Sequence, residues 1–478
     1  MKTKFSPRVL APVALSFLAA SCVQTPPVGA QTKPAQQFVP SLPVNTTSVM
    51  GSGNFDMDKA QYFDAQFAVL KANGMKSARF NVYPAEYWDG NQARVRPDYD
   101  KLILQAHKNK ITPMLLFNFY GMWLGPGSTL GPKEKWVDIG RVFAQRYRPN
   151  SPWLLEQGIK DWGVTVWSAF NEPDHHGFGK LPKTASDEGV EKAGGNYRDA
   201  LEGFSDGVKG VDRSLQVIPG GYMAQCAFMD FTCGGYALAV ADLFNNGKLD
   251  GLHLHTYNDS QYAPLFGHDT STWSAFSNFK AVKEKCGITA DVDFYSDEYN
   301  YKNPDHSETK ERNDDLTAKN LLTATWANLS AAKNDGRTPA SKMLLLWSLF
   351  PVESTYTTSK SFEPYEPLAP AKTYALVNEL TENMRLVSVD PFGSGVTVLE
   401  GNKGAQNRKM WAWINAKGYT NRLGDSLTVS EIPQGTKTLS LYRYNSFDGP
   451  AKTVQYNGEE SVKFDGLGQK ETFMVVAR

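Results

Sequence analysis

Cysteine, histidine and net charge are all scarce in this chain of 478 residues. Lys plus Arg and Asp plus Glu both number 50, so the formal net charge is zero. Without an excess of positive charge the chain has no electrostatic attraction to nucleic acid or to an anionic membrane surface, and we expect no nucleic acid as a partner. The four cysteines and seven histidines show no zinc-type spacing, and we expect no metal and no cofactor.

Long hydrophobic runs are also missing, with one short exception at the amino terminus. Residues 1–22 combine three basic residues with the apolar segment VLAPVALSFLAA, the pattern of a secretion signal that is too short to span a bilayer. The run LAASC resembles a bacterial lipoprotein box, which would make Cys22 the lipidated first residue of the mature protein. The alternative is plain secretion after cleavage at residues 28–30. We expect export, with Cys22 as a candidate point of membrane attachment.

The remaining cysteines are too few for a disulfide framework. Residues 23–43, rich in Pro, Gln and Thr, read as a flexible linker. In an exported protein a bridge between Cys226 and Cys233 would staple one loop, which leaves Cys286 as a buried thiol. This pairing stays open from sequence alone.

Short apolar runs alternate with amphipathic stretches between residues 44 and 385. Their nearly continuous apolar character indicates strands that are covered on both faces, as parallel strands are. Eight strands separated by helices predict a (β/α)8 TIM barrel. An open doubly wound sheet is the rival fold, but the first strand is not followed by the Gly-rich phosphate turn of that class. The predicted strands are residues 48–53, 77–83, 112–119, 163–170, 215–221, 251–257, 291–299 and 342–350.

The pattern changes near the carboxyl terminus. Residues 386–478 contain short alternating runs such as GVTVLEG and ETFMVVAR, separated by Gly, Asn and Asp turns. They predict an appended all-β sandwich domain.

Polar side chains stand at the carboxyl ends of the predicted barrel strands, where barrel enzymes carry their chemistry. A purely structural strand end would leave charged groups in solvent, but Glu172 and Glu298 follow apolar runs. Strand two begins with Arg79, and the later strands supply Asn118, Tyr120, Asn171, His255, Tyr257 and Trp347.

Two carboxylates that face one cavity are the groups that glycoside hydrolysis needs. One gives a proton to the departing oxygen, and the other attacks the anomeric carbon or activates water. Because strands four and seven lie across the barrel mouth from each other, Glu172 and Glu298 are the candidate pair.

The run NEP at residues 171–173 and the run DEYN at residues 297–300, in this strand order, resemble the motifs of glycoside hydrolase clan A. These are retaining TIM-barrel enzymes, and the chain is similar to families 39 and 5, with a C-terminal β-sandwich. The resemblance implies Glu172 as acid/base and Glu298 as nucleophile. It further implies that Asn171 contacts the sugar, that Arg79 and Tyr257 support Glu298, that His255 lies near the acid/base or lines the floor of the site, and that Trp347 is an aromatic platform.

Two positions need separate comment. Family 5 relatives place a His at the end of strand three, where this chain has Asn118 and Tyr120 as candidate substrate-binding residues. Asp297 precedes the predicted nucleophile, and strand alternation predicts that it points away from Glu298 and serves as a structural acceptor.

The sequence therefore predicts an exported retaining glycoside hydrolase acting on a polysaccharide or oligosaccharide, of exopolysaccharide, biofilm-matrix or galactan type. Long aromatic loops such as YGMWLGPGSTLGPKEKW favour endo action. The alternatives are an exo-β-glycosidase and a non-catalytic carbohydrate-binding surface lipoprotein. A structural or adhesive protein would explain none of the polar strand ends.

Overall fold

Parallel and antiparallel strands occupy different parts of the chain in the computed structural model. The structure describes residues 44–49, 60–119, 130–173, 188–223, 234–258, 275–301, 314–347, 359–362, 364–390, 394–403, 406–416 and 423–478. All of them belong to the compact unit Pro40–Arg478. The predictions for residues 1–43, for Cys226 and Cys233, and for the loop that contains Tyr120 lie outside the described residues and stay predictions.

Nine strands form one sheet, and every pairing within it is parallel. Strands occur at all eight predicted places; the first begins at Val44, and an additional strand of two residues follows the fifth. They are β1 (Val44–Val49), β2 (Ser77–Val82), β3 (Thr112–Phe117), β4 (Val166–Ala169), β5 (Gln216–Pro219), β6 (Tyr222–Met223), β7 (Gly251–Asn258), β8 (Asp293–Tyr301) and β9 (Ser341–Leu346). Their spatial order is β5-β4-β3-β2-β1-β9-β8-β7-β6.

The two end strands of this order, β5 and β6, are consecutive in the chain. Only Gly220 and Gly221 separate them. The backbone N–H of Asp250, just before β7, donates to the carbonyl of Val217 in β5 at 2.9 Å. The beginning of β7 is therefore hydrogen-bonded to β5, while its later residues pair with β6.

Helices separate the strands, as the sequence predicts. The first ends just before Gly74, whose φ of +67° is the left-handed conformation that closes a helix. Another begins with Pro97 in its first turn, where proline removes no helical hydrogen bond. The helices are α1 (Ala60–Ala72), α2 (Pro84–Tyr87), α3 (Pro97–Lys108), α4 (Lys133–Tyr147), α5 (Pro152–Glu156), α6 (Glu188–Val211), α7 (Gly234–Ala239), α8 (Ala241–Asn245), α9 (Ala275–Cys286), α10 (Asp314–Leu329) and α11 (Ala369–Thr381).

Both faces of the parallel sheet are buried. Five of the six residues of β3 are buried, which explains why its apolar character is nearly continuous. Leu115, Phe117 and Trp167 belong to the large core that also contains helix side chains. Side chains on the opposite face of five strands meet in a second, smaller cluster: Met114, Val166, Ile218, Tyr295, Met343 and Leu345.

The carboxyl-terminal part is antiparallel. A short ribbon of β10 (Ser359–Phe362) and β11 (Tyr365–Pro367) precedes α11. Six strands then form a sheet in the order β12-β13-β14-β19-β16-β17, and β15 and β18 form a second sheet of two strands. They are β12 (Met384–Val389), β13 (Val396–Lys403), β14 (Gln406–Asn415), β15 (Ser426–Ser430), β16 (Thr438–Tyr442), β17 (Lys452–Gln455), β18 (Ser461–Asp465) and β19 (Glu471–Ala477).

Alternation along β14 shows how the two sheets are held. Trp411 and Trp413 pack with Leu427 and Phe464 of the two-stranded sheet. Met410, Ala412 and Ile414 join the large core with the helices of the parallel sheet. The carboxyl-terminal part therefore consists of antiparallel strands, as the sequence pattern predicts, although β12 and β17 were not among the predicted strands.

Two smaller findings concern cysteine and the membrane. Cys286 is a buried thiol, as predicted, and burial raises its pKa to about 11. Among the described residues, no helix combines the length and the apolar character that crossing a bilayer requires.

Candidate active site

The polar strand ends meet at one edge of the parallel sheet. Arg79 lies on β2, Glu172 follows β4, His255 lies on β7 and Glu298 on β8. All four side chains are at least nine-tenths buried. Charged groups are rarely buried unless they are paired, so their contacts with one another matter.

The chain leaves β4 through an unusual backbone. Phe170 and Glu172 have φ of 71° and 45°, in the left-handed region that residues with side chains seldom adopt. The Phe170 ring packs edge-on against Trp136, with centroids 4.6 Å apart. The backbone N–H of Glu172 donates to the carbonyl of Gly221 at 3.1 Å. These contacts turn Phe170 outward and direct Glu172 toward the other polar groups.

Glu298 and Asp297 both face the site, which corrects one prediction. Arg79 Nη1 lies 2.7 Å from Oε1 of Glu298 and 2.9 Å from Oδ2 of Asp297. Asp297 therefore does not point away from Glu298. The pairing of β8 with β9 is irregular between Ser296 and Tyr299, and such a bulge places two successive side chains on one face.

His255 connects the three carboxylates. Its Nδ1 lies 2.7 Å from Oε1 of Glu172 and 3.6 Å from Oε2 of Glu298, and its Nε2 lies 2.8 Å from Oδ1 of Asp297. Burial alone would lower the pKa of His255, but the negative charges of Glu298 and Asp297 and the hydrogen bonds to Asp297 and Glu172 raise it well above its ordinary value.

Asp297 is the most heavily paired group of the site. Besides Arg79 and His255, its Oδ1 lies 2.7 Å from Nε2 of His253. His253 in turn donates from Nδ1 to the carbonyl of Pro219 at 2.8 Å. Burial would raise the pKa of Asp297, but Arg79, His253 and His255 hold it well below its usual range.

The two predicted catalytic carboxylates lie close together. One oxygen of Glu172, one oxygen of Glu298 and one ring nitrogen of His255 are all within 4.8 Å of one another. His253, His255 and Asp297 form a second group of the same kind. Either set has atoms of the type that ligate metals, but Arg79 already supplies a positive charge 2.7 Å from Glu298, which would repel a cation there.

The other predicted residues are distributed as follows. Asn171 is buried, and its Oδ1 accepts from Arg79 Nη1 at 3.5 Å. Asn118 is buried one residue beyond β3, with its carbonyl accepting from the hydroxyl of Tyr87 at 3.0 Å. Trp347 follows β9 and is partly exposed. Tyr257 lies in β7, but its side chain lies outside the described residues, as does all of Tyr120.

Two members of the site were missed or misplaced from sequence. His253 was not singled out, although its spacing of two from His255 along a strand puts both rings on one face. Asp297 was expected on the opposite face of the strand. No local feature of the sequence predicts the bulge in β8 that places its side chain in the site. Tyr87 and Tyr299, two aromatic residues near the polar strand ends, are fully buried core residues.

Comparison with known proteins adds evidence about the fold. No protein-family model and no curated protein sequence matches the chain. Solved structures do match it. A family 39 glycoside hydrolase from the gut symbiont Bacteroides cellulosilyticus WH2 has a TM-score of 0.54 and 13% identity, over 91% of this chain and 81% of that chain.

Two further structures have a similar fold. The family 30 subfamily 8 xylanase from Clostridium acetobutylicum has a TM-score of 0.51 and 12% identity, over 87% of this chain and 92% of that chain. A family 86 glycoside hydrolase in complex with neoagarooctaose has a TM-score of 0.54 and 12% identity, over 91% of this chain and 74% of that chain. The families belong to clan A, so the predicted resemblance is confirmed at the level of the fold.

Proposed function

We propose that this protein is an exported retaining glycoside hydrolase of clan A that cleaves a polysaccharide. The observation that carries the proposal is the pair of carboxylates, with one oxygen of Glu172 within 4.8 Å of one oxygen of Glu298. Retaining enzymes hold their two carboxyl groups about 5 to 5.5 Å apart, whereas inverting enzymes leave about 6.5 to 9.5 Å for a water molecule. The separation in this chain supports the retaining class.

The proposed fold is the closed (β/α)8 barrel. Three observations support closure: the end strands β5 and β6 are consecutive in the chain, Asp250 bonds across to β5, and side chains from five strands meet in one small inner cluster. A barrel mouth would surround Glu172 and Glu298 with loops that follow the strands.

In the proposed mechanism Glu298 attacks the anomeric carbon while Glu172 protonates the departing oxygen. The bond between that carbon and the leaving oxygen breaks as the bond to Glu298 forms. Glu172 then takes a proton from an incoming water, whose oxygen displaces Glu298 from the sugar. Arg79, 2.7 Å from Glu298, provides the positive charge that pairs with the nucleophile before attack and after release.

The proposed substrate is a polysaccharide cut internally. The sequence supports endo action through the long aromatic loop after β3, and the family 86 relative is a complex with the oligosaccharide neoagarooctaose. An exo-acting enzyme would instead require a blind pocket that binds the end of the polysaccharide.

For the location of the protein we propose the cell surface or the periplasm, with Cys22 as the lipid attachment point, or secretion. The amino-terminal signal supports this proposal.

A panel of neutral and acidic polysaccharides, assayed for new reducing ends, tests the proposal. We expect a ladder of oligosaccharides from at least one polysaccharide, and no product from the Glu298→Gln variant. Glu156→Gln, the same change at an exposed position of α5, serves as the matched control and should cleave normally. Monosaccharide as the sole product would overturn endo action, and binding without cleavage would overturn hydrolysis.

A further inference from the structure

Asp297 lies beside the proposed nucleophile but has no part in the two-step reaction described above. Its two oxygens are taken by three partners: Oδ2 by Arg79 at 2.9 Å, and Oδ1 by His253 at 2.7 Å and His255 at 2.8 Å. Its side chain is 1% exposed. An ionised carboxylate only accepts hydrogen bonds, so Arg79 Nη1 and His255 Nε2 each present a proton to Asp297.

This requirement fixes one proton of His255, the proton on Nε2. Because Nε2 of His255 donates to Asp297, a neutral His255 has its lone pair on Nδ1, which lies 2.7 Å from Oε1 of Glu172. A lone pair facing an ionised oxygen at that distance would be repulsive. Either Glu172 is then protonated and donates to Nδ1, or His255 is charged and Nδ1 donates to Glu172. In both states one proton lies between Nδ1 and Oε1.

The surroundings of His255 leave its ring little freedom. A Cβ added at Gly221 would lie 2.0 Å from the ring, so the ring packs directly on the backbone that joins β5 to β6. Its charged and titratable neighbours are Glu172 after β4, Asp297 and Glu298 on β8, and His253 on its own strand with ring centroids 5.6 Å apart. The adjacent Gly221 carries no charge.

We propose that Asp297 is a positioning residue that fixes the tautomer of His255 and thereby holds, between His255 and Glu172, the proton that Glu172 gives to the leaving oxygen. This inference rests on the proposed function. In the first step the shared proton passes to the departing oxygen, which leaves Glu172 ionised opposite the Nδ1 lone pair. That repulsion favours return of a proton from water in the second step, so the pair is restored after each turnover.

The charge of Asp297 also decides how strongly the proton is held. An adjacent negative charge raises the pKa of a proton-carrying pair, so its removal lowers that pKa. Activity that needs the proton on the pair is lost as pH rises through this pKa. Asp297→Asn should therefore move the alkaline limb of the kcat/KM profile to lower pH by about one unit or more.

The kinetic test measures kcat/KM against pH for the wild-type protein and for Asp297→Asn, with a polysaccharide identified in the panel. Asp293→Asn is the matched control, because it removes a largely buried, ion-paired carboxylate from the other end of β8. We expect the alkaline limb of the Asp293→Asn profile to stay at the same pH as in the wild-type protein. A loss of activity in Asp297→Asn that is equal at every pH would mean a merely structural role and would overturn the proposal.

A second measurement needs neither catalysis nor a variant of Asp297. In the wild-type protein with 15N-labelled histidine, NMR should show that Nε2 of His255 stays protonated throughout the titration while Nδ1 alone loses its proton. The resonance is assigned by its absence in His255→Gln. A neutral His255 protonated on Nδ1 would refute the proposal even if Asp297→Asn did not fold. If no glycan were cleaved, the proposed function would fail, but the NMR titration would still determine the tautomer of His255.

Discussion

Individual residues of the site adopt conformations that only their neighbours can maintain. A side-chain-bearing residue in the left-handed region costs about 1 to 3 kcal/mol, and two such residues, Phe170 and Glu172, stand within three positions. The packing of the Phe170 ring on Trp136 and Tyr197 offsets that cost. The strain therefore has a structural consequence, because it turns Glu172 out of the strand and toward His255.

Replacement of the carboxylates should separate chemistry from folding. We expect Glu172→Gln to lower kcat by about 10²- to 10⁴-fold, the usual contribution of a general acid/base, and Glu298→Gln to lower it at least as much. Gln has nearly the shape of Glu, so circular dichroism and the thermal midpoint should stay close to those of the wild type. Normal turnover by both variants on a confirmed substrate would contradict the assignment.

The sequence allowed several of these residues to be predicted and concealed others. Glu172, His255 and Glu298 follow from strand ends and two short motifs, and Arg79 follows from the family resemblance; the structure brings their side chains together. Asp297 could not be placed correctly, because the bulge in β8 depends on how that strand pairs with β9. Strand periodicity is a local signal, whereas register is set by a partner elsewhere in the chain.

At the scale of elements, glycines decide how closely two helices approach. Gly203 and Gly207 of α6 and Gly140 of α4 bring the backbones together so tightly that an added Cβ would lie 2.2 to 2.5 Å from a carbonyl oxygen of the facing helix. Spacing by four residues puts Gly203 and Gly207 on one face of α6. The pattern is visible in the sequence, but the identity of the facing helix is not.

A matched pair of substitutions on α6 tests this packing. Gly207→Ala places a methyl group 2.2 Å from the carbonyl of Val137 and should lower the free energy of unfolding by about 1 to 3 kcal/mol. Gly210→Ala, on the same helix with no atom within 4 Å of the new Cβ, should be neutral or stabilising by up to about 1 kcal/mol. Urea titration measures both. Equal changes in the free energy of unfolding for the two variants would show that the close approach of α4 and α6 does not determine the effect.

At the scale of the whole molecule, the parallel and antiparallel parts share one hydrophobic core. Met410 and Ile414 of β14 belong to the same buried cluster as Leu321 and Trp326 of α10. Hydroxyl contacts cross the same boundary, from Thr323 to Thr472 at 3.0 Å and from Ser330 to Thr397 at 2.6 Å. The change of pattern near residue 386 predicted the appended β-domain, but nothing local in the sequence predicts that it packs on α10 and α11.

A shared core predicts cooperative unfolding. We expect a single calorimetric transition, and we expect Ile414→Ala to lower the stability of the whole protein by about 2 to 5 kcal/mol. Val387→Ala, at an exposed position of β12, should change it little. Two separate transitions, with only the smaller one displaced by Ile414→Ala, would show that the parts fold independently.

The stereochemistry of the first product tests the proposed chemistry of the whole molecule most directly. Proton NMR of a fresh digest reports the anomeric configuration before mutarotation. One oxygen of Glu172 lies within 4.8 Å of one oxygen of Glu298, whereas the carboxyl groups of inverting enzymes are about 6.5 to 9.5 Å apart, so we expect the configuration of the cleaved bond to be retained. A first product of inverted configuration would contradict the account.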